Sequence, residues 1–405
     1  MKPALIVESF VSATEVSGGV VVSVRMQADF LRRHSELVVI APRRAFLPLG
    51  RYAAMETAQA RSRRFVSAED NTRIYRPVCL HTPLLWRILE PLQIAFWVLV
   101  ICVFFERGVT LLHAHRCFPA GFVASLVAPF LRLPVVLTVY GSDINFGLDA
   151  NAVGRWVSSA SRFALRHSDY VIAVSRALAE RIHSAGVPME RIDVVSSGVD
   201  TSQVRQMAKE EARAKVGLPL EARVVLYVAN LLPVKDPLTM IRAFAVLRKS
   251  RDTAFLVVLG AGELEAAVRE ESGKLGLSDS VLFAGRRPRE EIPYWIGAAD
   301  VVSLSSIEEG CPVIVQEAFA AGRPFVGTRV GGVPEIVPDH VGILVEPREP
   351  EALAAALDSA LSKSWDVRKL RAHGLTFSRD VVGSRVLEAY RLATGDRTAG
   401  AGTPV

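Results

Sequence analysis

The sequence is poor in cysteine, and the few cysteines it has are placed unlike metal ligands. Four are present, they form no C-x-x-C pair, and their spacing matches no metal site: Cys79, Cys102, Cys117 and Cys311. We therefore expect reduced thiols, as in the cytoplasm. The N-terminal run MKPALIVESF turns polar too soon for a signal peptide, and we interpret it as a first strand.

One apolar run falls short of the roughly 20 residues that a membrane-spanning helix needs. Residues 92–105 (LQIAFWVLVICVFF) contain one polar member, Gln93, and charged residues flank the run on both sides. We interpret it first as a buried core helix. Two alternatives stay open, namely a helix with one face in a membrane interface and an inserted helix.

The length and the composition favour two ordinary α/β domains. The chain has 405 residues, of which 50% are hydrophobic, 7% aromatic and 22% charged. This length suits two domains of roughly 150–200 residues each. A polar stretch at about residues 199–220 marks the boundary. We predict an N-terminal domain over 1–200, a C-terminal domain over 201–375, a helix over 376–393 that packs back on the first domain, and a flexible tail over 394–405.

The positive charge is concentrated in the first half of the chain. Residues 1–200 hold 22 Lys and Arg against 16 Asp and Glu, which accounts for the whole formal net charge of +6. Residues 32–76 alone hold ten arginines against four acids. An anionic partner, such as a phospholipid surface, a lipid phosphate or an acidic acceptor, and a merely solvated arginine-rich face both explain this. Nucleic acid is not expected, because no recognised binding motif accompanies the charge.

Short apolar runs alternate with helical patterns, most regularly over residues 223–345. This alternation predicts βαβ units and parallel sheets in both halves. Open α/β sheets bind ligands at the carboxyl ends of their strands. Two such domains facing each other would form a deep cleft between them.

The most specific motif is EEGCPVIVQEAFAAGRP at residues 308–324, in which Glu309 and Glu317 are eight positions apart. Taken alone, this spacing also suits two surface glutamates around the start of a helix. Three further motifs accompany it: LVVLGAGE before it, VLFAGR between the two, and GGVPEIV after it. Each places glycine after an apolar strand or before a helix, where tight loops and exposed N–H groups suit phosphate or sugar oxygens.

In this order and spacing, and together with VLYVANLLPVKDPLTMIRAF, the motifs resemble the donor domain of glycosyltransferase family 4. The resemblance is strong over residues 223–347 and weaker over 113–144, 171–178 and 196–200. It implies the GT-B fold, an α/β architecture of two facing Rossmann-like domains with a deep interdomain cleft. It also implies a retaining hexosyltransferase that uses a nucleotide-sugar donor and front-face attack by the acceptor.

The family pattern assigns roles to several donor-side positions. Lys235 matches the lysine that contacts the donor diphosphate, Glu309 matches the glutamate near the reaction centre, and Glu317 matches the glutamate at the donor ribose. We predict Glu309 and Lys235 as the catalytic residues. Backbone groups and glycine loops complete the implied donor site: Gly18, Gly19, Gly260, Gly262, Gly310, Cys311, Pro312, Val313 and Ile314.

Two positions depart from the family pattern. The arginine usual five residues before the lysine is replaced by Asn230, which we still place in the donor site. We expect Arg286, Arg287 or a group of the first domain to substitute for the missing charge; the alternative is weaker donor binding. Tyr140 stands where many members have a histidine near the anomeric centre. With a reference pKa near 10, a tyrosine is a poor cation at neutral pH. The acceptor-side residues that we predict are therefore His115, Tyr140, Ser142 and Asp143.

The resemblance implies no metal cofactor, because the sequence has no D-x-D motif. We expect a glycan or lipid-linked acceptor, a role in cell-surface polysaccharide or glycolipid synthesis, and a cytoplasmic or peripheral location at the inner face of the plasma membrane. Two other functions stay open. A nucleotide-sugar epimerase would need no acceptor, and a non-catalytic nucleotide-sugar-binding protein would fit the departures at Asn230 and Tyr140.

Overall fold

The computed structural model describes residues 1–7, 18–46, 65–81, 86–141, 144, 152–204 and 207–395. The chain divides into two compact units. The first consists mainly of the N-terminal strand, Val20–Ser196 and the chain from Asp380, and the second consists mainly of Ser197–Arg379. Ser142 and Asp143, which we predicted on the acceptor side, lie outside the described residues.

The first unit is built around a sheet of eight strands, with a separate pair of short strands beside it. The strands are β1 (Pro3–Ile6), β2 (Leu37–Ile40), β3 (Arg43–Phe46), β4 (Val66–Glu69), β5 (Thr72–Tyr75), β6 (Val78–His81), β7 (Leu111–His115), β8 (Val135–Val139), β9 (Tyr170–Ala173) and β10 (Ile192–Val194). The helices are α1 (Gly19–His34), α2 (Trp86–Val100), α3 (Phe122–Leu131), α4 (Ala152–His167) and α5 (Arg176–Ser184). A π-helical turn over Ile101–Phe105 continues α2, and another over Cys117–Gly121 leads into α3.

The sheet order is β10-β9-β8-β7-β1-β2-β5-β4, and all neighbours are parallel except β4 and β5. The chain starts in the middle at β1, which pairs with β2 on one side and β7 on the other. Buried runs such as VVLTV in β8 have no exposed face, because helices cover parallel sheets on both sides. This order makes the unit Rossmann-like.

The second unit repeats the plan with six strands, all parallel, in the order β13-β12-β11-β14-β15-β16. The first helix of this unit is α6 (Lys209–Val216). The strands are β11 (Arg223–Val228), β12 (Ala254–Leu259), β13 (Val281–Gly285), β14 (Val301–Leu304), β15 (Phe325–Thr328) and β16 (Gly342–Val345). The other helices are α7 (Pro237–Ser250), α8 (Glu265–Lys274), α9 (Ile292–Ala298), α10 (Val313–Ala320), α11 (Val333–Ile336), α12 (Pro350–Ser362) and α13 (Val367–Leu375).

The last helix, α14 (Arg379–Ala393), belongs almost entirely to the first unit. The Tyr390 hydroxyl lies 2.7 Å from His113 Nδ1, and both residues are fully buried. The helix backbone also comes so near Phe30 that a Cβ at Gly383 would lie 2.2 Å from the phenyl ring. Glycine at this position is therefore required by packing.

A buried carboxylate fixes the C-terminal end of the π-helical turn that follows α2. Glu106 accepts a hydrogen bond from the Tyr75 hydroxyl at 2.7 Å and ion-pairs with Lys2 at 3.0 Å and Arg73 at 3.2 Å. Burial alone would raise the pKa of Glu106, but the hydrogen bonds from Tyr75 and Lys2 outweigh burial and lower it. Burial raises the pKa of Tyr75 to about 12, so its hydroxyl stays a donor.

We predict that Glu106→Gln lowers the free energy of unfolding by about 1–3 kcal/mol at pH 7, because it removes the buried charge that pairs with Lys2 and Arg73 and weakens the hydrogen bond from Tyr75. The lowered pKa of Glu106 means that its contribution is complete above the ordinary value of 4.5 and is lost as the pH falls through the folded-state pKa. Urea unfolding at pH 7 and below pH 4.5 measures both effects. Glu36→Gln is the control, because Glu36 contacts the same lysine with a side chain that is 72% exposed. Equal losses for both variants would contradict the role of Glu106.

Candidate active site

The loop after β11 fixes the backbone of Lys235. A 3₁₀ turn over Pro233–Lys235 ends at this residue. The Lys235 carbonyl accepts hydrogen bonds from the buried Tyr227 hydroxyl at 2.9 Å and from Ser305 Oγ at 3.2 Å. The next residue, Asp236, caps α7 by accepting from the Thr239 N–H and hydroxyl. The hydrogen bonds to the Lys235 carbonyl and the cap formed by Asp236 therefore fix the main chain of the loop, while the lysine side chain is 25% exposed.

Glu309 lies in the loop after β14, directly beside that lysine. Its Oε1 accepts hydrogen bonds from Lys235 Nζ at 2.7 Å and from Ser306 Oγ at 2.6 Å. The carboxylate side chain is only 7% exposed. The two residues predicted as catalytic are 74 positions apart in the chain and form one ion pair in the structure.

The loop of Gly331 and Gly332 packs against the backbone of Glu309 and Gly310. The Gly332 N–H donates to the Gly310 carbonyl at 3.1 Å. Gly331 has φ +50°, and a Cβ at that position would lie 1.8 Å from the Glu309 carbonyl oxygen. The GGVPE motif thus has a direct physical purpose, because no larger residue allows this contact without displacing the Glu309 backbone.

Glu317, in α10, is paired with an arginine that sequence reasoning missed. Its carboxylate is 2% exposed and contacts the Arg289 guanidinium. Burial lowers the pKa of Arg289, but the charge of Glu317 outweighs burial and raises it. The predicted substitute Arg286 is exposed just after β13. Arg289 follows Arg286 in the same loop. The sequence signal that could have identified Arg289 was its position shortly after a strand.

The glycines after β12 are also explained by close backbone packing. Gly260 has φ +144°, and a Cβ there would lie 1.9 Å from the Ala229 carbonyl oxygen. A Cβ at Gly262 would lie 2.4 Å from the Leu231 carbonyl oxygen. These contacts bring the β12 loop against the β11 loop, and Asn230 stands exposed between Ala229 and Leu231. The predicted role of both glycines in donor binding stays a prediction.

The start of α10 presents backbone amides beside Glu309. Among the described residues no side chain caps this helix at Pro312, so the first-turn N–H groups of Val313 and Ile314 are available to a ligand. The Cys311 carbonyl is already used, because it accepts from Ser197 Oγ at 2.9 Å. Burial raises the pKa of the Cys311 thiol to about 11, so it is a neutral packing group at neutral pH.

The predicted residues in the N-terminal half of the chain lie at the starts and ends of secondary-structure elements, and the contact clustering assigns Gly18 and Gly19 to the second unit. Gly18 and Gly19 are exposed at the beginning of α1. His115 ends β7, and its Nδ1 lies 2.9 Å from the hydroxyl of Tyr140, which follows β8. Burial lowers the pKa of His115 to about 3, so the imidazole is neutral at neutral pH. His113 likewise has a pKa lowered by burial and is satisfied by Tyr390 and Thr138.

Two family models match the chain. The model described as Glycosyltransferase Family 4 matches residues 17–203, and the model described as Glycosyl transferases group 1 matches residues 208–374. Together they span most of the chain and meet near the division between the two units. The chain therefore belongs to glycosyltransferase family 4, a family of GT-B glycosyltransferases. The family resemblance of its motifs is confirmed.

Curated relatives agree with this family. TuaC of Bacillus subtilis, by name a teichuronic acid biosynthesis glycosyltransferase, is 29% identical over 247 residues, which cover 61% of this chain and 60% of that protein. A D-inositol 3-phosphate glycosyltransferase of Mycobacterium marinum is 32% identical over 223 residues, covering 52% and 47%. The chain thus spans between about half and three fifths of the length of these relatives.

Solved structures share the fold over almost the whole chain. HepE of Anabaena in complex with UDP has a TM-score of 0.73 at 20% identity, covering 96% of this chain and 99% of that one. Sucrose-phosphate synthase of Thermosynechococcus elongatus has a TM-score of 0.74 at 19% identity, covering 96% and 98%. The predicted α/β fold with two Rossmann-like halves is confirmed.

We predict that Gly331→Ala weakens binding of the nucleotide sugar at least tenfold, because the new Cβ collides with the Glu309 backbone. Gly276→Ala is the matched control. Its φ is +68°, also in the left-handed region, but nothing lies within 4 Å of the new Cβ. Both variants carry the backbone cost of about 1–2 kcal/mol. Thermal-shift titration with a panel of UDP- and GDP-sugars measures the difference, and equal ligand-induced stabilisation of the two variants would overturn the supporting role of Gly331.

Proposed function

We propose that this protein is a retaining hexosyltransferase that moves a sugar from a UDP- or GDP-sugar to a glycan or lipid-linked acceptor in cell-surface polysaccharide or glycolipid synthesis. The observation that carries the proposal is the ion pair of Lys235 and Glu309 beside the uncapped start of α10. A cation, a buried carboxylate and free amides in one place suit a substrate with both a diphosphate and a sugar.

In the proposed reaction the bond between the anomeric carbon and the diphosphate oxygen breaks, and the nucleoside diphosphate leaves with the electron pair. An acceptor hydroxyl oxygen forms its bond to the same face of the sugar, and its proton passes to the leaving phosphate oxygen. Negative charge grows on the diphosphate, where Lys235 and the N–H groups of α10 stabilise it. We assign Glu309 the role of facing the positive character that develops on the sugar.

Relatives support the substrate classes. TuaC is named as a glycosyltransferase of teichuronic acid biosynthesis and the Mycobacterium marinum enzyme as a D-inositol 3-phosphate glycosyltransferase, and HepE has been solved with UDP and with UDP-glucose. A uridine nucleotide is accordingly our first choice of donor. Glu317, held by Arg289, is the group that we assign to the donor ribose.

On the acceptor side we assign Tyr140 the place of the missing histidine. Its hydroxyl is held by His115, which stays neutral because its pKa is about 3. The pair therefore offers hydrogen bonds and no positive charge. We assign stabilisation of the departing diphosphate wholly to the second unit.

We further propose a cytoplasmic location and a reaction that needs no metal ion. All four cysteines are buried and none of them forms a disulfide bond, which fits a reducing compartment. Among the described residues no group of three or more His, Cys, Asp or Glu is placed to hold a metal. The metal requirement itself is a matter for assay, in which activity in EDTA equal to activity in Mg²⁺ is the expected result.

We predict that Lys235→Ala and Glu309→Ala each lower kcat/KM by about 10²–10⁴-fold, because each removes a charge placed at the reacting bond. The assay is release of nucleoside diphosphate from a panel of UDP-, GDP- and ADP-sugars with candidate acceptors. Lys274→Ala is the control, since that lysine is 64% exposed on α8 and pairs with Glu270. Turnover by Glu309→Ala at the wild-type rate would remove our catalytic assignment.

The stereochemistry is tested separately. Proton NMR of an early time point should show a product whose anomeric configuration matches the donor. An inverted product would contradict retention while leaving glycosyl transfer intact. Conversion of a UDP-sugar without any acceptor would identify an epimerase instead, and calorimetric binding of a donor that never turns over would identify a non-catalytic binder.

A further inference from the structure

The helical run Trp86–Phe105, formed by α2 and the π-helical turn after it, is unusually apolar for a helix on a domain surface. Among the described residues it is the one run long and apolar enough to cross a membrane, with 20 residues and a mean hydropathy of 2.3. Both this hydropathy and the buried share, which is only 39%, refer to the 18-residue window of the run that passes this test. A core helix of a soluble domain would be mostly buried, so the exposed part needs an explanation.

One face of this run packs into the domain and the opposite face is exposed and wholly apolar. The buried face includes Glu90, Ile94, Val98 and Ile101. The exposed side chains fall in two groups, four over residues 88–96 and three over residues 103–105, which together extend about 26 Å along the run at 1.5 Å per residue. They are Ile88, Leu89, Leu92, Phe96, Val103, Phe104 and Phe105. We call this set the α2 stripe.

Two further exposed apolar side chains lie on elements that contact α2. Phe130, at the end of α3, is 79% exposed, and α3 packs against α2. Leu80, on β6, is 51% exposed and is held beside α2 because Gln93 bonds both its N–H and its carbonyl. Single exposed apolar residues need no explanation, whereas a contiguous patch marks a binding surface.

Two buried carboxylates hold the run in the domain at both ends. Near the start, Glu90 is 6% exposed and pairs with Arg44 at 2.8 Å. Just past the end, the Glu106 side chain is fully buried against Lys2, Arg73 and Tyr75. If the run crossed a membrane, both sets of ion pairs would break and Ile94, Val98 and Ile101 would lose their packing in the core. The run is therefore built to lie on a bilayer, with its axis along the surface.

The charge around the α2 stripe selects the kind of surface. Arg87 precedes the stripe, Arg107 follows it, and Arg132 follows Phe130; the last two are exposed. The acids of the same stretch, Glu90 and Glu106, are buried and already paired. Arginine beside exposed aromatic and aliphatic side chains is the pattern of helices that bind anionic lipid head groups. A second copy of this face would bring like charges together.

We propose that the α2 stripe, Leu80 and Phe130 bind a bilayer that contains anionic phospholipid, with the apolar side chains at the level of the head groups and the arginines on the lipid phosphates. This binding is independent of the donor site and needs no catalytic activity. It would fix the first unit to the surface on which a lipid-linked acceptor lies.

Flotation of the full chain with liposomes of phosphatidylcholine and 30% phosphatidylglycerol tests the proposal. We expect binding that falls at least tenfold in pure phosphatidylcholine or in 0.5 M salt, because screening weakens the arginine contacts. Phe96→Ser with Phe104→Ser should weaken it at least tenfold, since these side chains are 58% and 71% exposed. The control is Leu220→Ser with Leu375→Ser in the second unit, where the exposures are 57% and 53%.

Three results would overturn the proposal. The first is no binding of the wild-type chain to anionic liposomes at low salt. The second is protein that resists extraction by alkaline carbonate, which would indicate insertion. The third is a stable dimer in sedimentation that the Phe96→Ser and Phe104→Ser variant loses, which would make the stripe a protein interface. Circular dichroism and the melting temperature confirm that the variant is folded, which the exposure of both side chains leads us to expect.

Discussion

In the second unit, the pairing of β11 with β14 decides which side chains meet. Parallel strands end at the same edge of their sheet, so the loops that follow these two neighbours lie side by side. Lys235 comes from the first loop and Glu309 from the second, and their charged atoms lie 2.7 Å apart. The helix after β14 begins at the same edge, and no side chain in the described part of the structure caps its first backbone amides. The donor site that we propose thus follows from the sheet order before any detail of the side chains.

Close backbone contacts then fix the shape of this edge. The loop after β12 presses against the loop after β11 through Gly260, and the loop after β15 presses against Glu309 through Gly331. A side chain at either position would meet a carbonyl oxygen at under 2 Å. Close backbone packing is therefore the first reason for the glycine motifs in the sequence. Contact of these loops with a phosphate or a sugar is an additional role, which the proposal assigns to their neighbours.

Much of this arrangement is predictable from the sequence, because it depends on local patterns. Alternating apolar runs predict the two parallel sheets, and the spacing of Glu309 and Glu317 around a helix start predicts which loop carries the acids. The partner of Glu317 was not predictable, because Arg286, Arg287 and Arg289 are equivalent in the sequence and only the path of the loop selects one. The environment of the apolar run at residues 92–105 was ambiguous in the sequence for a similar reason. Its composition is apolar on every side, and only packing shows which face the domain covers.

The Lys235–Glu309 pair also limits how a diphosphate can enter. A buried carboxylate repels an incoming anion, so Glu309 would oppose donor binding if its charge were not balanced. Lys235 balances that charge in the ion pair, and in the proposed donor complex it would contact a phosphate oxygen while keeping its contact with the carboxylate. Removal of the lysine therefore has two effects that add, because the diphosphate loses a cation and Glu309 becomes an uncompensated negative charge. Removal of the glutamate frees the lysine to bind phosphate more tightly while the sugar loses its carboxylate. The two variants should accordingly separate in ground-state affinity even where their losses of turnover are alike.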